Sequence, residues 1–247
     1  MNGVSGESTM NVVKLQVPVS QDELDKLEQG DIVYLSGLIY TAREGVYQKV
    51  LDSGQELPVD IKSISNVNFH CSPAASPDGQ GGYDVGAVTA TASFRFGKWM
   101  KKWFEKSGAR IIIGKGGMPE ETYRELFTPI GARYLTTVGY GAGALLGRGI
   151  KKVKDVFWLE ENGIAQAMWI FEVEEIGPFI VDNDRQGNSL FVKHEKAVNA
   201  KLEKLYAGLK PPTLKRYGET TNRGDEVIGA PDTSPVRLVI REEDDLK

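Results

Sequence analysis

Residues 109–117 read Ala109-Arg110-Ile111-Ile112-Ile113-Gly114-Lys115-Gly116-Gly117, an apolar run closed by glycines around a single lysine. Three consecutive β-branched residues bounded by turn-forming ones are the pattern of a strand buried on both faces. Outward from it, Pro119 to Thr128 reads as a helix, Ala132 to Val138 as a strand, then a glycine-rich helix, then Val153 to Leu159 as a strand. Pro119 suits a first helical position, and Glu120 and Glu121 follow where the helix dipole favours acids. The alternation is βαβαβ, which predicts an α/β domain with a largely parallel sheet covered by helices.

Upstream, Val13, Leu15 and Val17 alternate with polar residues as in a half-buried strand, which Pro18 closes. Ser20 or Gln21 opens a helix carrying Leu24 and Leu27 and ending at Gly30. Asp31 to Tyr40 reads as a strand pair or one strand bent at Gly37. Thr41 is placed to cap a helix from Ala42 to Leu51, with Arg43 in its first turn and Tyr47 one turn later. Asn66 to His70 is strand-like, and Ser72 to Tyr83, with Pro73, Pro77, Gly79, Gly81 and Gly82, reads as a long loop. Gly97 to Ser107 is an amphipathic helix: Trp99, Met100, Trp103 and Phe104 make one apolar stripe, lysines lie elsewhere, and Gly108 stops it.

Downstream, Ala167 to Val173, Phe179 to Val181 and Ser189 to Val192 read as strands with turns at Gly177 and Gly187. A last helix runs from His194 to Leu209, with Ala197, Val198, Leu202 and Leu205 on its inner side. These elements predict one domain over residues 12–209, a flexible N-terminus over 1–11, and an extended or disordered tail over 210–247.

The 247 residues can bury a substantial core, and 40% hydrophobic with 26% charged residues is the composition of a globular chain. A net charge of −4 gives no basis for general nucleic-acid binding. No stretch approaches the roughly 20 apolar residues of a membrane helix, and the start lacks a signal-peptide core, which points to the cytoplasm. A single cysteine, Cys71, excludes an internal disulfide framework and supplies neither a thiolate zinc site nor an iron-sulfur cluster by itself.

Three cations follow apolar runs: Arg43 after Leu38-Ile39-Tyr40-Thr41-Ala42, Arg95 after Thr91-Ala92-Ser93-Phe94, and Lys115 after Ile113-Gly114. In open α/β sheets ligands collect beyond the carboxyl ends of strands, so the three read as a cradle for a small polyanion. Gly139-Tyr140-Gly141-Ala142-Gly143-Ala144, with Glu160 about 20 residues on, also satisfies a dinucleotide-binding pattern; the bland reading is that these glycines allow close helix packing. His70 and His194 lack metal-ligand spacing and read as structural or solvated, although His70 beside Cys71 is placed to line the cleft.

Several motifs occur together and in order: Gly30-Asp31-Ile32-Val33-Tyr34-Leu35-Ser36-Gly37-Leu38-Ile39-Tyr40-Thr41-Ala42-Arg43, Thr91-Ala92-Ser93-Phe94-Arg95, Ile113-Gly114-Lys115-Gly116, Gly139 to Leu145, and Ile164 to Trp169 with Phe171-Glu172-Val173. Over about residues 12 to 209 the chain resembles the beta subunits of class I fumarate hydratase and L-tartrate dehydratase. The resemblance implies a swivelling β/β/α domain and reversible addition of water across a dicarboxylate double bond. It implies an alpha subunit as partner, whose cysteines hold a four-iron four-sulfur cluster that acts as Lewis acid on the hydroxyl. Arg43, Arg95 and Lys115 would then bind the small dicarboxylate substrate and stabilise the charge formed when a proton is removed, with Lys115 and Thr91 as the catalytic pair and Thr91 nearest that proton.

The chain also departs from the family pattern. It has Ala90-Thr91-Ala92-Ser93-Phe94-Arg95-Phe96-Gly97 where the family usually has Gly-Pro-Thr-Thr, a small pair and Arg-Met-Asp. Tyr47 stands where a histidine is common, and Glu44 where an Asp is. These changes bear on the substrate more than on the reaction class. The expectation is thus a hydro-lyase beta subunit for fumarate and malate, with tartrate or a related hydroxy dicarboxylate next, working as a homodimer or heterotetramer. The reading from a different class is a non-catalytic dicarboxylate-binding or assembly module.

Overall fold

The computed structural model describes residues 10–139 and 141–207. The N-terminus before residue 10, Tyr140 and the tail expected over 210–247 lie outside the described residues. The chain divides into two units, Met1–His194 and Glu195–Lys247.

Among its described residues the first unit contains nine strands: β1 Val12–Gln16, β2 Ile32–Thr41, β3 Val67–Phe69, β4 Cys71–Pro77, β5 Tyr83–Ala90, β6 Ile111–Gly114, β7 Arg133–Thr137, β8 Ile150–Phe157 and β9 Met168–Val181. Seven of them form one sheet in the order β1-β2-β3-β6-β7-β9-β8, and β2 pairs with β9 as well. The neighbours β1-β2, β2-β3, β3-β6 and β6-β7 are parallel, as expected. β9 runs antiparallel to both β7 and β2 and joins them. The sheet is therefore not an open layer covered by helices: β2, β3, β6, β7 and β9 close a five-stranded ring. At 14 residues β9 is long enough to pair with β7 through Phe179–Val181 and with β2 along most of its length.

Side chains alternate across this ring. Val67, Phe69, Ile111, Ile113, Leu135, Phe171 and Phe179 fill its inner core, while Ile112, Tyr134, Met168 and Ile170 join a second cluster outside. The helix Gly97–Ser107 lays Trp99, Met100, Trp103 and Phe104 on that outer cluster, and Gly108 at φ 68° ends it as read.

Several local expectations are corrected. Ser72 to Tyr83 is not a loop: β4 and β5 form an antiparallel hairpin, turned where the Asp78 carboxylate accepts from the Gln80 and Gly82 amides at 2.7 and 2.8 Å. A two-stranded sheet has only edges, where Pro73 and Pro77 are tolerated. The third strand of the βαβαβ reading, β8, pairs antiparallel with β9 rather than parallel with β7. Ala167–Val173 and Phe179–Val181 belong to one strand, and Ser189–Val192 caps and begins a helix, Leu190–Tyr206, with Val192 N donating to Ser189 Oγ at 3.4 Å. In the second unit that helix continues with Val198 and Leu205 exposed, so the face read as its inner side is not buried within the described residues.

Candidate active site

The parallel strands β2, β3 and β6 end on one side of the ring, and the chain leaving each end carries a polar or charged group. β2 delivers Arg43. The structure puts it at the N-cap of the helix Glu44–Tyr47 and not in a first helical turn, because Thr41 is otherwise engaged. The Thr41 hydroxyl donates to Ala167 O at 3.2 Å and accepts from Trp169 N at 3.0 Å. Arg43 Nη1 donates to Ala165 O at 2.7 Å, while its Nε is buried with no hydrogen-bond partner among the described residues. Burial pushes the Arg43 pKa down, opposed by Cys71 and reinforced by the positive charge of Arg95.

β6 delivers Lys115, and the loop after β5 delivers Thr91 and Arg95. Lys115 N donates to Thr91 O at 3.1 Å, Ser93 N donates to Lys115 O at 3.4 Å, and Ala92 pairs with Lys115 in a parallel bridge. The two loops are thereby stitched backbone to backbone. Thr91 is buried, and its own amide donates to His70 O at 2.7 Å. Arg95, in the 3-10 turn Ser93–Phe96, is exposed, with its guanidinium 5.5 Å from the Phe96 ring centre. Lys115 borders a cavity of about 330 Å³ together with Thr137, Gly139, Gly141, Ala142 and Gly143.

The glycine-rich stretch thus lines a cavity beside Lys115, but it is not a dinucleotide fold. That fold needs a following parallel strand, and β8 is antiparallel. Its glycines serve packing: a Cβ on Gly143 would sit 2.8 Å from Val88 O, and one on Gly147 2.5 Å from Gly86 O.

Beneath the charged loops runs a buried polar chain that sequence reading did not assemble. Asn68 Nδ2 donates to Tyr47 Oη at 2.8 Å, and Tyr47 Oη lies 2.7 Å from His70 Nε2. His70 Nδ1 is 2.7 Å from Ser93 Oγ, which is 2.8 Å from Tyr134 Oη; Tyr134 Oη reaches Lys115 O at 3.3 Å. Asn68 donates to Tyr47, so the single Tyr47 proton goes to His70 Nε2, and His70 Nδ1–H then donates to Ser93 Oγ, which also accepts from the Tyr134 hydroxyl. This assigns His70 the neutral Nδ1–H tautomer. Burial, with help from Arg43, lowers its pKa to about 3, which keeps it uncharged. At the other end Asn68 Oδ1 accepts from Ala42 N at 2.9 Å, so the chain spans from the Arg43 segment to the Lys115 loop.

The Lys115 loop is anchored from outside too. Met118 N donates to Tyr123 Oη at 2.8 Å, and Tyr123 donates a short hydrogen bond to Asp182. Asp182 is buried, and Ser189 Oγ donates to its other oxygen at 3.0 Å.

This ordered set of loops on a ring of parallel strands can be set beside known proteins. The profile of the family described as Fumarase C-terminus matches residues 2–194. The chain belongs to that family. Among its relatives is a Methanocaldococcus jannaschii protein named "Putative L(+)-tartrate dehydratase subunit beta", 34% identical over 190 residues, 76% of this chain and 95% of that one. A Geobacillus stearothermophilus protein named "Putative fumarate hydratase class I" is 34% identical over 201 residues, 81% of this chain but 37% of its own length. The L(+)-tartrate dehydratase subunit beta of Escherichia coli K12 is 26% identical over 182 residues, 74% of this chain and 88% of that subunit. Within the Fumarase C-terminus family, then, the same stretch of sequence occurs as a separate subunit and as part of a longer chain.

Of the residues read from sequence, Arg43, Thr91, Arg95 and Lys115 are on one end of the ring. Tyr47, Asn68, His70, Ser93 and Tyr134 were not grouped. The available signal was local: Asn68 is polar at a strand centre between Val67 and Phe69, where an apolar residue is expected.

Proposed function

We propose that this chain is the beta subunit of a two-subunit hydro-lyase that reversibly adds water across the double bond of a four-carbon dicarboxylate, fumarate to malate first. The observation that carries this reading is the backbone stitching of the Thr91–Arg95 loop to the Lys115 loop, at the same ring end as Arg43. Two guanidiniums and an ammonium there suit two carboxylates: Arg43 and Arg95 by bidentate hydrogen bonds, Lys115 as a point charge. When a proton leaves the carbon next to a carboxylate, negative charge flows onto that carboxylate, and fixed cations lower the barrier by holding it. Thr91, between His70 and Lys115 in the hydrogen-bond order, is the proposed proton-handling hydroxyl.

In this reading residues 12–209 form a swivelling β/β/α domain that works in the cytoplasm with an alpha subunit, the whole being a homodimer or heterotetramer. The iron-sulfur cluster belongs to the alpha subunit. Such clusters take cysteine thiolates, and this chain has one cysteine, buried, with its thiol pKa pushed up by desolvation. Its residues do not fit that group. Among the described residues no helix is long and apolar enough to cross a membrane.

The tartrate reading is favoured by the beta-subunit names of two relatives. Anaerobic co-expression with the matching alpha chain, followed by assays with fumarate, malate and L-tartrate, decides between them. A pair inactive on all three, with the isolated chain still binding dicarboxylates, would instead support the non-catalytic module.

A further inference from the structure

At the opposite end of β6 and β7, a second cavity of about 590 Å³ is bordered by Gln21, Asp25, Arg110, Gly131, Arg133 and Arg185. Three cations and one carboxylate face it. Arg133, at the start of β7, is 1% exposed, and its Nε and Nη2 are buried with no hydrogen-bond partner among the described residues. Its Nη1 donates to Ala132 O at 3.0 Å and reaches Gly131 O at 3.5 Å. The Asp25 carboxylate is 3.7 Å from Nη2, close enough for an ion pair but beyond a hydrogen bond. That same Oδ1 accepts from Gln21 Nε2 at 2.9 Å. Asp184 attracts the Arg133 charge, while Arg185 repels it.

A buried guanidinium with idle N–H groups is costly, and among the described residues the cavity beside it is lined by three arginines against one carboxylate, Asp25. The planar fork of arginine matches the oxygens of carboxylates and phosphates. We propose that this cavity binds a compact multivalent oxyanion, a phosphoryl or polycarboxylate group, gripped by Arg133 from within and by Arg110 and Arg185 from the rim. The volume lies in the usual range for small-ligand sites. The site is separate from the Lys115 cavity: Arg133 and Thr137 border the two cavities from opposite ends of β7, roughly 13 Å apart along the strand.

Isothermal calorimetry on the full chain with sodium phosphate and with citrate, against chloride at matched ionic strength, tests this. Saturable binding of at least one anion is expected, with a dissociation constant about tenfold weaker or worse in Arg110→Ala and in Arg185→Ala, and unchanged in Lys151→Ala, a surface cation outside both cavities. Binding of phosphate alone assigns a phosphoryl ligand, and binding of citrate alone a polycarboxylate. No saturable binding of either, or binding that Arg95→Met abolishes while Arg110→Ala and Arg185→Ala leave it intact, overturns the proposal. The rim variants keep the test valid if Arg133→Met does not fold, and neither outcome depends on the hydro-lyase reading.

Discussion

His70 Nε2 and Tyr47 Oη lie 2.7 Å apart with both side chains fully buried, and this contact joins the segment after β2 to the end of β3. Because Asn68 already donates to Tyr47, the tyrosine proton points at His70 and the imidazole proton sits on Nδ1, toward Ser93. The candidate site thus rests on a neutral histidine used as a two-sided connector.

His70→Ala is expected to leave the Tyr47 and Ser93 hydroxyls buried with a lost partner each and to cost roughly 3–5 kcal/mol of stability. Urea denaturation measures it. The pH dependence has a definite sign: the folded pKa is about 3 against 6.5 unfolded, so above pH 6.5 neither state binds the proton. As pH falls below that, the unfolded state gains a proton the native state refuses. Stability attributable to this group should fall by up to about 1.4 kcal/mol per pH unit until the folded pKa is reached. A His70→Gln variant should show a shallower slope between pH 6 and 4.5; an unchanged slope contradicts the buried neutral histidine.

Gly114 is the glycine that the polar chain needs. A Cβ there would stand 2.0 Å from Ser93 Oγ and 2.6 Å from Tyr134 Oη. Gly114→Ala should therefore destabilise by roughly 2–4 kcal/mol through overpacking and reduce turnover of the reconstituted enzyme, since it displaces the strand that leads into Lys115. A thermal midpoint equal to that of the parent chain would refute this account.

Arg95 is exposed and fills no core position, so Arg95→Met should leave folding stability within about 0.5 kcal/mol. With the alpha subunit present, kcat/KM for the dicarboxylate should drop by about a hundredfold or more, the loss of a charged hydrogen-bonding partner for a carboxylate. Steady-state kinetics beside a melting curve separates the two effects, and undiminished kcat/KM removes Arg95 from the site.

Tyr123→Phe removes the hydroxyl that serves both Met118 N and Asp182. Burial already holds the Asp182 pKa above the usual carboxylate range, with its hydrogen bonds opposing. Without Tyr123 that pKa should rise further. A carboxylate whose folded pKa is raised contributes stability at low pH that is lost as pH rises through that pKa. The variant should therefore be destabilised by roughly 2 kcal/mol at neutral pH and by less in acid, as denaturant midpoints at pH 5 and 7.5 would show.

Cys71 is 1% exposed, and burial pushes its thiol pKa up, only partly offset by Arg43. A thiol-specific reagent at pH 8 should react slowly with the native chain and release one equivalent on denaturation. Rapid native labelling would mean that the strand end carrying Cys71 opens.

What could be read from the chain without coordinates depended on local rules. The Gly97–Ser107 helix follows from the spacing of Trp99, Met100, Trp103 and Phe104 and the stop at Gly108, and the strands around Ile111–Ile113 follow from a β-branched run. The cations Arg43, Arg95 and Lys115 were legible because they sit just beyond such runs. The β4–β5 hairpin was not, because Pro73, Pro77 and the glycines read as a loop when no partner strand is known.

Closure of the ring also belongs to the tertiary structure. It depends on β9 pairing with β2, 148 positions away for Ile32 and Ile180, and periodicity within β9 carries no information about its neighbours. The same holds for the chain from Asn68 through Tyr47, His70 and Ser93 to Tyr134. Its members come from four separate segments, and in sequence each is an ordinary polar residue. Sequence by itself determined which residues carry charge at the strand ends. Only the fold decided that a neutral histidine and three hydroxyls would meet beneath them, because hydrogen bonds of 2.7–2.8 Å require positions set by packing rather than by neighbours along the chain.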